Sequence, residues 1–209
     1  TAITTGDGNV AVGFGAGQTV TTGLRNTYIG AISGDGATTA DDNTGVGYAA
    51  LSAAGTGTQN TAIGTGALLA NTNGSNNTAV GRSALIANTT ASNNTAVGYS
   101  ALTANTTGHD NVAMGLNAMA GNTTASYNVA MGYQAMYVST TGDECVAIGA
   151  AALKANTTGD YNVAVGSNAL TANTTAAKNT ALGYFALAAN TTGAENTAVG
   201  ALAGDAITT

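Results

Sequence analysis

The chain has 209 residues, a net charge of -6, 7 % charged and 5 % aromatic residues, 30 glycines, and neither proline nor tryptophan. Its only cations are Arg25, Arg82, Lys154 and Lys178, so no basic stripe exists to neutralise phosphates and no nucleic-acid partner is expected. Within these residues there is no apolar run of about 18 and no basic-then-apolar leader, so neither membrane insertion nor a signal peptide is expected in this segment.

In chain order the first recognisable element is "NVAVG" at Asn9. It returns, identically or as a near variant, at Asn26, Asn43, Asn60, Asn77, Asn94, Asn111, Asn128, Cys145, Asn162, Asn179 and Asn196, every step being 17 residues. Loops of ordinary domains tolerate insertions. Twelve copies without one insertion or deletion therefore place the spacing under physical constraint. A fixed short period marks a solenoid, in which each repeat is one rung covered by its neighbours. Residues 1–209 are thus expected to form a single elongated all-β domain, a parallel β-roll or β-helix of twelve 17-residue rungs.

Within a rung numbered from its Asn, positions one to four alternate with β-type side chains and predict a short strand. In the rung that begins at Asn94, the recurring columns are Asn94, Ala96, Val97, Gly98, Ala101 and Leu102. Position three is Ala in ten copies, with Tyr28 and Gly45 the exceptions, and position four is always aliphatic or Met. Position five is Gly in all twelve, which fits a corner with positive φ or a close backbone approach. Position eight is Ala in eleven copies, and position nine is Leu or Met in nine consecutive rungs, from Leu51 to Leu187. A second short strand is expected over positions seven to ten. Ala and Leu also suit one helical turn there, but seven residues between two turns are too few for a stable helix.

The rung closes on Asn-Thr-Thr-(Gly/Ala)-x-x. Eight of the ten acids fall in its last two positions, Asp7, Asp41, Asp42, Asp110, Asp143, Glu144, Asp160 and Glu195. Variable charge at one place marks a solvated corner. The sequons at Asn88, Asn105, Asn122, Asn156, Asn173 and Asn190 are explained by turn chemistry and would matter only in a eukaryotic secretory host. Stacked about 4.8 Å apart, twelve rungs make a rod about 57 Å long. The Asn column then aligns so that side-chain amides hydrogen-bond along the axis.

Positions three and four of a strand point to opposite sides, yet one column is Ala and the other Val, Ile, Leu or Met. A slim solenoid has one interior, so the second apolar face calls for self-association, with the columns of small Ala letting chains approach closely. The pattern Asn-x-Ala-(Val/Ile)-Gly-x-x-Ala, as in "NTAVGYSAL", "NVAMGYQAM" and "NTALGYFAL", resembles the head repeats of trimeric autotransporter adhesins and related phage tail-fibre shaft repeats. The resemblance covers nearly the whole chain and implies a left-handed parallel β-roll, three chains about one axis, and attachment to surfaces. The 17-residue period is somewhat longer than is usual for those heads.

Material for catalysis is scarce. His109 stands alone in a variable turn and Cys145 is the single cysteine, so no nucleophile-base pair, His-built metal site or cofactor is expected, and the chain reads as a non-enzyme. Cys145 occupies the Asn column and reads as a small substitute in a buried position. The pairs Asp41-Asp42 and Asp143-Glu144 read as solvated charges, and the two "GDG" strings lack the spaced acids of a calcium roll. Tyr48, Tyr99, Tyr133 and Tyr184 at position six, with Phe14, either fill a corner groove or face outward to meet a sugar or a receptor.

Positions thirteen and fourteen are Thr in almost every rung, which raises an ice-binding solenoid as a rival reading. Adjacent residues point opposite ways, so Thr-Thr offers one outward column where Thr-x-Thr offers two. At the ends, "AITT" of residues 2–5 returns at 206–209, and Gly17, Gly34 and Gly204 stand at position nine. These fit capping rungs, or one period of a longer array. The expectation is a homotrimeric fibre or adhesion segment, outside the cell or on a virion, that meets a cell-surface glycan or protein receptor. A homopolymeric filament subunit is the variant.

Overall fold

A computed structural model describes residues 6–209 of the protein. It holds twelve three-residue strands and, among the described residues, no helix. Two compact units divide the chain. The first, Thr1–Thr107, carries β1 (Val10–Val12), β2 (Thr27–Ile29), β3 (Thr44–Val46), β4 (Thr61–Ile63), β5 (Thr78–Val80) and β6 (Thr95–Val97). The second, Gly108–Thr209, carries β7 (Val112–Met114), β8 (Val129–Met131), β9 (Val146–Ile148), β10 (Val163–Val165), β11 (Thr180–Leu182) and β12 (Thr197–Val199).

Within each unit consecutive strands pair in parallel, without bulge or slip. Thr78, Ala79 and Val80 face Thr95, Ala96 and Val97, and Val129, Ala130 and Met131 face Val146, Ala147 and Ile148. The partner of every paired residue is thus its equivalent 17 positions on. The expected all-β parallel solenoid, with 17 residues per turn, is the fold.

The Gly corner follows from stacking. Position five has φ between 127° and 139° in every rung, a region closed to side chains. A Cβ added to Gly64 would also lie 2.6 Å from the carbonyl oxygen of Gly81 in the next rung. Glycine is therefore required twice over, by torsion and by contact.

The second expected strand does not form: positions six to eleven are turns. The consecutive Ala and Leu at positions eight and nine explain why. Ala101 and Leu102 are adjacent, yet both are buried completely. Neighbours in an extended strand point to opposite faces, so that geometry would expel one of them. The chain instead takes positive φ at positions seven and nine, as at Ser100 (54°) and Leu102 (50°), which turns both side chains inward. The left-handed torsion at Leu102 costs roughly 1–2 kcal/mol, offset by the roughly 1.5–3 kcal/mol gained on burying its side chain.

The core is thin: Ala at positions three and eight, Leu or Met at nine. The early rungs fill the same space differently. Tyr28 replaces the Ala of position three and is buried, and its ring occupies the room left by Gly17, Gly34 and Gly45. A Cβ on Gly34 would penetrate the ring, and one on Gly45 would stand 3.1 Å from it. One large side chain thus substitutes for two missing leucines. Gly17 and Gly34, which take the place of Leu at position nine, are complements of Tyr28.

Two outcomes follow. Gly64→Ala should lower unfolding stability by at least about 2 kcal/mol, from torsion and the clash with Gly81 together, measured by urea unfolding. Gly34→Leu alone should destabilise by overpacking and Tyr28→Ala alone should cost about 3 kcal/mol. The double variant should recover about 1 kcal/mol or more of the sum, a coupling that a double-mutant cycle reads directly.

Candidate functional site: side-chain ladders and outward columns

The polar columns inside the solenoid are ladders. At position one, the amide oxygen accepts the backbone N–H of the equivalent residue in the next rung, as Asn60 does from Asn77 (3.0 Å) and Asn162 from Asn179 (2.9 Å). The amide nitrogen donates within its own rung to the carbonyl of position fifteen, as from Asn60 to Gly74 (2.9 Å). The expected amide-to-amide bonding along this column is present in part: Asn26 donates to Asn9 and Asn77 to Asn60, each at 3.1 Å, in addition to the bonds to backbone that run along the column.

A second amide-to-amide ladder runs through position twelve, the Asn of the sequons. Asn88 donates to Asn71 (2.9 Å), Asn105 to Asn88 (3.0 Å) and Asn173 to Asn156 (3.0 Å). Asn88 and Asn173 also donate to the position-fifteen carbonyl of their own rung, so Ala176 O receives Asn162 (2.8 Å) and Asn173 (3.0 Å) together. Asn71, Asn88, Asn105, Asn156, Asn173 and Asn190 are all buried. Their amide nitrogens are satisfied inside the protein. The ladder ends at Asn190, whose Oδ1 has no partner because Ile207 occupies position twelve of the last rung.

Cys145 sits in the Asn column, fully buried. Its thiol lies 3.3 Å from the carbonyl of Gly159, where an Asn would donate, and receives the N–H of Asn162 at 3.4 Å. Burial pushes the thiol up to about 11. The small-substitute reading holds.

The last corner is more structural than its charges suggest. At position sixteen the side chain accepts the backbone N–H of the preceding rung: Asp41 from Leu24 (2.7 Å), Asp143 from Ser126 (2.7 Å), Asp160 from Asp143 (2.9 Å). Position seventeen has positive φ throughout, and its side chains meet between rungs. Arg25 binds Asp42 at 2.6 and 2.8 Å, and its guanidinium holds the Asp42 carboxyl below the usual range. Lys178 stands 3.6 Å from Glu195.

The outward columns are apolar or neutral. Position three faces in and position four faces out, so the Ala columns expected to let chains approach closely instead pack the interior, where only a small side chain fits beside Leu or Met of position nine. Val12, Ile29, Ile63, Met114, Met131, Ile148, Leu182 and Val199 are exposed, Met131 by 37 % and Val12 by 56 %, while Val46, Val80, Val97 and Val165 are half-buried. Beside them at position six, Tyr48, Tyr99, Tyr133 and Tyr184 are about half exposed and Phe14 more so. Arg82 lies 5.7 Å over the Tyr99 ring, and Tyr184 meets Phe185 edge to face at 4.5 Å. The columns of Asn94, Ala96, Ala101 and Leu102 are interior, Gly98 is the corner, and Val97 belongs to the outward stripe.

Thr at position fourteen is exposed wherever it occurs. The hydroxyl of position thirteen is often engaged along the axis, Thr157 donating to Thr174 O at 2.9 Å. Among the described residues no group of three or more His, Cys, Asp or Glu is placed to hold a metal, and no helix is long and apolar enough to cross a membrane. Of the "AITT" pair, residues 2–5 lie outside the described residues. Compared with family models, curated proteins and solved structures, the chain matches none.

Two columns escaped the sequence reading: position twelve, hidden by its resemblance to glycosylation sites, and Tyr127 and Tyr161 at position seventeen. Aligning the rungs on position seventeen would have found the tyrosines on either side of Glu144.

For Cys145 the sign is definite. An exposed thiol ionises near about 8.5 and the buried one at about 11, so its stabilising contribution is complete below about pH 8.5 and is lost as pH rises toward 11. Cys145→Asn should abolish that part of the alkaline destabilisation and add about 1 kcal/mol at pH 7 by restoring the amide bonds, read from urea midpoints across the pH range.

Proposed function

We propose that the chain is a non-enzymatic structural segment of an extracellular fibre, the shaft or head of a phage tail fibre or bacterial surface adhesin, and that it works as a homotrimer. The observation that carries the reading is the outward stripe of Val, Ile, Leu and Met at position four, which lies on the solvent side of every strand while the interior is filled by Ala and Leu. Contiguous exposed apolar stripes mark interaction surfaces. Small Thr or Val at position two beside the stripe lets another copy approach closely. Three copies about an axis are favoured by the resemblance of the repeat to trimeric adhesin heads. Self-assembly into a longer filament is the variant, and a glycan or protein receptor is the partner that repeated half-exposed tyrosines would suit by many weak contacts.

An ice-binding role draws on the exposed Thr at position fourteen. It is the weaker reading. One column of hydroxyls presents a line, and the neighbouring Thr of position thirteen commits its hydroxyl to the next rung.

In sedimentation the protein should run at three times the 20.0 kDa chain mass. Val80→Asp combined with Val165→Asp should give single chains with an unchanged far-ultraviolet spectrum. A wild-type chain sedimenting singly at micromolar concentration would remove the trimer, mass growing with concentration would favour the filament, and strong thermal hysteresis would replace the fibre reading with ice binding.

A further inference from the structure

We propose that Tyr127, Glu144 and Tyr161 form a binding site for an organic cation, a quaternary or alkylated ammonium group held between two tyrosine rings and beside a carboxylate. The three residues occupy position seventeen of successive rungs. Their register is set by the backbone: Glu144 N–H donates to Ser126 O at 3.2 Å and Tyr161 N–H to Asp143 O at 3.1 Å. Each has φ between 54° and 61°, so all leave the corner in the same way. All three side chains are exposed, and Tyr127 and Glu144 line an open cleft of about 450 Å³.

Elsewhere in this column each charge has a partner: Arg25 meets Asp42 and Lys178 meets Glu195 one rung away, and Asp110 meets His109 of its own rung. Glu144 is different. It has a tyrosine on each side and, among the described residues, no ion pair. Rungs two apart are separated by about 9.6 Å. A cation at the level of Glu144 would then sit about 4.8 Å from each tyrosine level, inside the roughly 6 Å reach of a cation–π contact.

Tyr127 is also braced: the His109 ring meets it edge to face at 5.1 Å, while His109 Nδ1 pairs with Asp110 at 2.7 Å. Asp143 and Asp160 at the adjoining position sixteen add negative field. These carboxylates alone would define no ligand; the two aromatic levels with the unpaired acid between them select a soft, bulky cation. A neutral sugar would stack on either ring but gain nothing from the field.

Choline chloride is the probe, titrated calorimetrically into the whole protein at low salt. The column itself supplies tolerated replacements, since it carries Asn76, Asn93 and Gln59 in other rungs with the same positive φ. We expect one saturable site per chain, weakened about fivefold or more by Tyr127→Asn, Tyr161→Asn or Glu144→Gln, with far-ultraviolet spectra unchanged. The uncharged isostere 3,3-dimethylbutan-1-ol should bind about tenfold more weakly than choline. Absence of saturable choline binding, equal affinity for the isostere, or indifference to all three substitutions overturns the proposal. So does binding of chitohexaose, lost with either tyrosine, in place of choline. The site is independent of the fibre reading: a chain that sediments singly and still binds choline would separate the two.

Discussion

In most rungs from the fourth onward one backbone carbonyl, at position fifteen, is held by two buried side chains at once. In the rung starting at Asn60 these are Asn60 and Asn71, each 2.9 Å from Gly74 O. A 17-residue loop with a three-residue strand has few backbone bonds of its own within the turn. Its closure must come from side chains. Asparagine suits the task because one amide donates to the carbonyl while its oxygen accepts from the next rung, so a single residue type both closes the turn and stacks it. Each such bond is worth only about 1 kcal/mol net, but an orphaned amide in this thin core would cost more. The columns are therefore obligatory once the fold exists, and Cys145 shows the minimum that can replace an Asn: a weak donor and a weak acceptor in the same places.

Closure by Asn also determines what is left for the outside. With Asn, Ala, Ala and Leu or Met committed to the interior, position four is turned outward, and with it the aliphatic stripe on which the assembly reading depends. Positive φ at four places per rung, positions five, seven, nine and seventeen, keeps the corners in register, so any residue placed at position six or seventeen repeats its direction from rung to rung. Such a frame converts substitutions at a corner into patterns along a line. Arg25 with Asp42 is one such pattern; two tyrosines on either side of Glu144 is another.

The period, the Gly corner and the existence of the Ala columns were legible because exact repetition puts each column on display without a structure, but that Ala faces inward and the aliphatic column outward was not. The Asn of position one was recognised as a ladder, and its amides do meet at Asn9–Asn26 and Asn60–Asn77, but its bonds to backbone N–H and C=O were not foreseen, since sequence spacing cannot say which group of the next rung an amide meets. Position twelve was missed altogether: its Asn-Thr-Thr context has a sufficient local explanation as a turn. The second strand was expected for a similar reason. Ala-Leu is compatible with extended backbone, and nothing local reveals that both side chains must be inside.

What the amino-acid sequence determined by itself is the 17-residue parallel stacking, because the strand partner of each residue is its own equivalent in the next rung and repetition makes those partners known. What tertiary structure decided is the direction of each column. Left-handed torsions at positions seven, nine and seventeen break strand alternation, and which side chains go in or out is settled only when a closed rung is laid against the next. Tyr28 shows both halves: its oddity and that of Gly17 and Gly34 are visible in the letters, but that one fills the space of the others is a fact of volume in three dimensions.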